Sequence, residues 1–152
     1  MRFFRFFRGL LTLSKFGVCS HVRSIPKGER SQFWGTINRL DYKTKMKKIG
    51  RNLFLRGEHI GPKIQSNIYG LKETDVYLFD VYNLDTKELM PYDEMKKFCS
   101  DNDFKMVPVI DDNFTLPETV SELLEYSNGF SALNSNTRRE GIVIRLRDNP
   151  KV

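Results

Sequence analysis

Cysteine and histidine are scarce in this chain. Cys19 and Cys99 are its only cysteines, and His21 and His59 its only histidines. Two thiols make no disulfide framework, and a structural zinc site needs about four ligands at tight spacing. A reducing, cytoplasmic setting is the expectation. No apolar run approaches the ~18 residues that a bilayer span requires, so no membrane partner is expected. Acid is missing from the first 28 residues, which carry Arg2, Arg5, Arg8, Lys15, Arg23 and Lys27. That segment accounts for the whole net charge of +6, and residues 29–152 balance. Internal repeats, low-complexity segments and long linkers are absent.

What is present is ordinary for a folded domain. Of 152 residues, 39% are hydrophobic and 29% charged, which is the balance of one soluble globular unit. The basic N-terminal third is a place where phosphate could be held, or a solvated face. Residues 1–15 are set apart as a basic aromatic segment, with arginine at every third place of MRFFRFFR. This segment is read as a ragged start before a domain of residues 16–152, with a mitochondrial presequence as the alternative.

Strands are expected over 10–20, 51–60, 76–82, 104–110 and 139–147. Phe33, Trp34, Ile37 and Leu40 recur at helical spacing after Ser31, a capping residue, and Met46 and Ile49 continue a second short helix. Further helices are expected over 90–99 and over 117–126, the last ended by Gly129. Lys96 and Lys97 fall late in the first of these, where they suit the helix dipole. Trp34 reads as a core anchor. Irregular alternation of strands and helices favours an α+β domain.

One stretch reads as a site. LRGEHIGPKIQSN, residues 55–67, delivers Glu58 from an apolar strand onto a glycine-containing turn, followed by Gln65 and Asn67. A second glutamate, Glu140, opens the strand expected at 139–147. Carboxylates so placed can take a divalent metal or a ribose hydroxyl. The aromatic run VYLFDVY offers a platform for a purine base. Ordinary surface glutamates are the alternative reading of the same spacing.

The order FGVCS, LRGEHIGPKIQSN, VYLFDVYN and REGIVIR, over about residues 16–147, resembles the ATP-dependent RNA ligases of the covalent nucleotidyltransferase superfamily. Gly-Glu-x-x-Gly-x-x-x-Gln-x-Asn is the most specific part, and EGIV is shared across the superfamily. The resemblance implies an adenylation domain of mainly antiparallel sheets with flanking helices, using ATP (as AMP) and Mg2+, with RNA as partner. It implies that Glu58 contacts the ribose or a metal-bound water, that Phe79 stacks on adenine and that Glu140 helps bind the metal. Lys63, Gln65 and Asn67 become candidates for RNA or phosphate contact. Family enzymes attack ATP with a lysine and release pyrophosphate. They then pass AMP to an RNA 5′-phosphate, and a 3′-hydroxyl displaces AMP to seal the strands.

The departures from the family pattern are as informative. The family's nucleophile lies in a Lys-x-Asp-Gly motif, and the chain contains none. Lys15 lacks the Asp-Gly and is not assigned as nucleophile. His21 stands where the family carries arginine after Cys-Ser, and Arg23 is the substitute because residues two apart on a strand share a face. The family's later Lys-x-Lys strand does not follow EGIV here. The chain is therefore expected to be a partial domain, inactive alone. A complementary fragment carrying the other motifs is one expected partner. A noncatalytic nucleotide- or RNA-binding remnant and an inert reading frame are the alternatives.

Overall fold

The computed structural model describes the backbone of residues 3–9 and 15–147 and the side chains of 16–147. Among the described residues seven strands form one sheet. In chain order they are β1 (Phe3–Gly9), β2 (Lys15–Ser20), β3 (Ser24–Ile25), β4 (Leu53–Ile60), β5 (Asp75–Asn83), β6 (Glu88–Leu89) and β7 (Lys105–Met106). The sheet runs β3-β2-β1-β4-β5-β6, and β7 also pairs with β5. Every pairing is antiparallel except β5 with β7. Among the described residues four α-helices accompany it: α1 (Gln32–Arg39), α2 (Tyr42–Ile49), α3 (Tyr92–Asp101) and α4 (Val120–Ser127). The α+β expectation holds.

The central pair of strands follows from alternation. Along β4, Leu53, Leu55, Gly57 and His59 are buried, and Phe54, Arg56 and Glu58 between them are half-exposed. A period of two gives a strand with one covered face. Helices α1, α2 and α3 cover it. Ile37, Tyr42, Met46, Met95 and Phe98 pack with Leu53, Leu55, Val76, Leu78 and Val81 into one core. Ser31 caps α1, its hydroxyl accepting from Phe33 N at 3.2 Å. Trp34 is the expected anchor, packed on the core with Nε1 donating to Ile25 O at 3.1 Å. His59 is also a core residue, its Nε2 lying 2.8 Å from Thr36 Oγ1.

Several expected elements differ. The ragged start is instead β1, an inner strand held between β2 and β4, with Phe3 opposite Glu58 and Phe7 opposite Phe54. A phenylalanine-rich run has strong β propensity, and a three-residue arginine spacing says nothing against it. Residues 10–14 of the strand expected at 10–20 lie outside the described residues. The strand expected over 104–110 shortens to β7, because Pro108 has no N–H to extend the ladder. Helix α3 continues to Asp101, which leaves Lys96 and Lys97 mid-helix and no base in its last turn. Helix α4 starts at a capping box between Thr119 and Glu122, three residues later than expected. Its end is covered by Arg139, not by a left-handed Gly129.

The largest difference is at 139–147, where no strand forms. The outer edge of β5 is already taken, by β7 at Tyr77 and Leu78 and by β6 at Tyr82 and Asn83. The segment reaches the remaining gap only through a side chain: Arg145 Nη1 donates to Phe79 O at 3.2 Å. Val143 and Leu146 stay 76% and 72% exposed, so the apolar alternation finds no sheet face to cover. Among the described residues no helix is long and apolar enough to cross a membrane.

Candidate functional site

The face of the sheet away from the three helices carries the candidate site. Glu58 and Arg56 project there from β4, and opposite them stand Tyr77 and Asp80 of β5. The register slips between Arg56 and Gly57: Gly57 pairs with Leu78, Arg56 with Asp80, and Phe79 is the extra residue. A β-bulge re-aims the residue at it. Gly57 permits the close approach, since a Cβ there would sit 2.8 Å from Tyr77 O and 3.0 Å from Leu78 Cδ2.

Electrostatics brings the two glutamates together. Burial pushes the Glu58 carboxyl up, and the charge of Glu140 pushes it further. The Tyr69 phenol is raised by burial, then by Glu140, then by Glu58. The charges of Glu58 and Glu140 thus reach each other and the Tyr69 phenol, although the two glutamates are far apart in the chain. A raised carboxyl binds its proton more tightly folded than unfolded. Glu58 thus costs no stability below the ordinary carboxylate range, and its cost grows as pH rises through that range to the raised value. Glu58→Gln is expected to raise the thermal midpoint at pH 7 and to leave it unchanged at pH 3.5. A midpoint lowered at pH 7 would show that the carboxylate stabilises the fold.

Beside the acids lies a cationic bracket. Asp80 ion-pairs with both Arg56 and Arg145. The Arg145 guanidinium also lies over the Phe79 ring, 5.6 Å from its centre. One face of the candidate base platform thus carries an arginine.

The turn after β4 is unusual. Lys63, Gln65, Ser66 and Asn67 have φ of +64°, +41°, +57° and +49°. L-residues visit this region at a cost of roughly 1–2 kcal/mol each. Asn67 is committed locally: its Oδ1 accepts from Leu71 N at 3.1 Å and its Nδ2 donates to Leu71 O at 2.9 Å. Lys63 and Gln65 are exposed.

Arg23 is not brought to the acids. Residues 21–23 are a bend between β2 and β3, where Ser20 Oγ accepts from Val22 N and Arg23 N. The shared-face argument for His21 and Arg23 therefore fails, because neither lies in a strand. The Arg23 guanidinium forms a bidentate pair with Glu29 at 2.7 and 2.9 Å.

Sequence reasoning missed Asp80, Arg56, Arg145 and Tyr69. Asp80 was findable: a carboxylate inside VYLFDVY must be paired if that strand is buried. The fit to a divalent cation is that of a shared site. Among the described residues no group of three His, Cys, Asp or Glu side chains could hold a metal. Magnesium-like ions keep several waters and take one or two carboxylates plus substrate phosphates, a demand for which Glu58 and Glu140 are the candidate carboxylates.

The RNA ligase family model matches residues 1–151. No curated protein matches. Among solved structures, the Naegleria gruberi RNA ligase with pyrophosphate is 31% identical, with a TM-score of 0.88, and covers 99% of this chain. A lysine-to-alanine variant of the same ligase with ATP and Mn is 31% identical (TM-score 0.87, 97% covered), and a glutamate-to-alanine variant with ATP and Mn is 29% identical (TM-score 0.89, 99% covered). This chain spans 44–45% of the length of those proteins.

Proposed function

The chain belongs to the RNA ligase family, and from that premise we propose that it forms the base, ribose and metal wall of an adenylation site. The family reaction joins an RNA 5′-phosphate to a 3′-hydroxyl through lysine–AMP and RNA-adenylate intermediates. One observation carries the reading: Glu140 is close enough to raise the Glu58 carboxyl, on the face where the β5 bulge presents Phe79. The similar Naegleria ligase structures contain ATP, AMP, Mn or pyrophosphate, which supports a nucleotide and a divalent ion at this wall.

The roles follow from chemistry. Phe79 stacks on the adenine, and a base on the Arg145 side either displaces that guanidinium or is sandwiched by it. Glu58 accepts from a ribose hydroxyl or a metal-bound water. Glu140 holds a divalent ion, magnesium in this proposal, and such an ion when bound neutralises charge on the transferring phosphate. Lys63 and Gln65, exposed on the left-handed turn, are the candidate contacts to RNA phosphate. Arg23 has no part in this wall unless it leaves Glu29.

No Lys-x-Asp-Gly stands in the sequence, so this chain by itself binds nucleotide without attacking it. Incubation with labelled ATP and magnesium should give no protein-bound AMP after denaturation. Reversible AMP binding should be present and should weaken by about 1–3 kcal/mol in Phe79→Ala, the usual worth of base–aromatic stacking. A denaturation-resistant labelled band would overturn the noncatalytic reading. Absence of any AMP binding would overturn the nucleotide wall.

A further inference from the structure

The loop that carries Glu140 and the loop that leaves Glu58 meet at one carbonyl. Ile68 O accepts from Asn134 Nδ2 at 3.1 Å and from Thr137 Oγ1 at 2.9 Å. The two donors also touch each other, Asn134 Nδ2 lying 3.1 Å from Thr137 Oγ1. Their own loop is closed by Ser131 N donating to Thr137 O at 2.8 Å and Thr137 N donating to Asn134 O at 3.0 Å. Asn134 Oδ1 accepts from Asn136 N at 3.1 Å. The side-chain donors and acceptors of Asn134 and Thr137 are thus spent on shaping this junction.

The next residues are fastened as well. Arg139 N donates to Gly129 O at 2.9 Å, and the Arg139 guanidinium donates to the carbonyls of Tyr126, Ser127 and Asn128 at the C-terminal end of α4. That placement covers orphan carbonyls and suits the negative end of the helix. Glu140 follows directly. Its own side chain makes no hydrogen bond or ion pair among the described residues and is exposed, so its place is decided by what holds its neighbours.

That place is unfavourable without support. The Glu140 charge reaches Glu58, and ionisation of one carboxylate opposes ionisation of the other. Something other than the glutamates must keep them close. Among the described residues, the side-chain bonds that join residues 131–139 to the turn following Glu58 are those to the Ile68 carbonyl. Glu140 lies three residues beyond Thr137, a tether of at most about 10 Å.

We propose that Asn134 and Thr137 are positioning residues which, by gripping the Ile68 carbonyl, fix the Glu140 loop to the turn that follows Glu58, so that the two glutamates can share a divalent cation. The proposal rests on the reading of Glu58 and Glu140 as one wall of the nucleotide site. Neither Asn134 nor Thr137 touches the cation or the nucleotide. Their contribution is to offset the repulsion between the two acids before a cation arrives.

The test is Mn2+ binding to the full chain, followed by electron paramagnetic resonance of free and bound Mn2+, with four variants. Thr137→Val removes the hydroxyl at constant shape and should weaken Mn2+ about tenfold, the lower end for loss of an outer support to a metal ligand. Thr137→Ser restores the hydroxyl and should restore affinity. Glu140→Gln should weaken Mn2+ at least as much as Thr137→Val. Combining Thr137→Val with Glu140→Gln should cost nothing beyond Glu140→Gln alone, because the clamp acts through that carboxylate. A purely structural role would make the two losses add. Should Thr137→Val not fold, Asn134→Ala, which leaves the Thr137 bond in place, takes its place with a smaller expected loss. If Glu140→Gln weakens Mn2+ but Thr137→Val does not, or if their losses add in full, the clamp is wrong and the site stands. If the unmutated chain binds no Mn2+, or Glu140→Gln leaves affinity unchanged, the site reading fails and the clamp falls with it.

Discussion

Gly61→Ala is expected to lower the unfolding free energy by about 3–5 kcal/mol, a large part of the ~5–15 kcal/mol that holds a typical domain together. Two effects combine. Gly61 has φ of +129°, a backbone conformation that L-residues rarely adopt. A Cβ there would also sit 2.7 Å from Glu73 O and 2.7 Å from Thr74 Cα. Both neighbours are backbone atoms at the entry to β5, so relief requires moving a strand rather than turning a side chain. Gly50 serves as the comparison. It has φ of +70°, and its nearest contact would be Lys48 O at 3.9 Å. Gly50→Ala should cost only about 1 kcal/mol, the conformational term alone. Urea unfolding of the two variants measures the difference. A Gly61→Ala loss no greater than that of Gly50→Ala would mean that the strand start yields freely. The position matters for the site because Gly61 sets the path from Glu58 to the turn that presents the Ile68 carbonyl.

Much of the scaffold was legible because a simple period governed it. Alternation through Leu53, Leu55 and Glu58 gave β4, and the spacing of Phe33, Ile37 and Leu40 gave α1. Glu58 and Glu140 stand out as isolated acids beside apolar runs, and the charge of Glu140 adds to burial in raising the Glu58 carboxyl. What was not legible depended on partners remote in sequence. Residues 139–147 have as good a strand pattern as β4, yet a strand exists only where an edge is free, and β6 and β7 occupy the edge of β5. The bulge at Phe79 follows from the close approach of Gly57, which no pattern within β5 announces. His21 and Arg23 share no strand face, because β2 ends at Ser20 and the Ser20 hydroxyl closes a turn over residues 21–23. The capping box at Thr119 is readable, since Thr-Val-Ser-Glu is its signature, and it places the helix start after Pro117.

The half-open face explains why strained and charged features collect where they do. Helices cover one side of the sheet and supply its burial. The other side keeps Phe79, Glu58 and Arg56 half-exposed, with Asp80 buried beneath its two arginines. Glu58 is less stable ionised than it would be in water, and the turn from Lys63 to Asn67 holds successive left-handed residues. Such costs persist only where surrounding structure over-determines them, and they gather at binding sites. Here the over-determination is visible, in the Asn67 amide fixed to Leu71 and the Ile68 carbonyl held by two side chains.

Asp80→Ala should be the most damaging change on that face that is not a backbone clash, costing about 2–4 kcal/mol. The Asp80 side chain is 4% exposed and stands between Arg56 and Arg145, which are 26% and 30% exposed. A buried ion pair gains little net stability, because desolvation offsets attraction. Removing one partner is a different matter, since the charges left behind keep the desolvation cost. Here the loss would leave two arginines facing each other with no counter-charge. Among the described residues, Arg56 Nε already has no aligned hydrogen-bond partner, so that guanidinium has little to fall back on. Arg145→Ala should cost less, about 1 kcal/mol, because Asp80 keeps Arg56 and the more exposed arginine is the one removed. The double variant Asp80→Ala with Arg145→Ala should then be more stable than Asp80→Ala alone, since it also removes the like-charge contact. Equilibrium unfolding in urea of the three variants reads this directly. Full additivity would show that Arg145 does not depend on Asp80, and that the guanidinium over Phe79 is held by the ring and the Phe79 carbonyl alone.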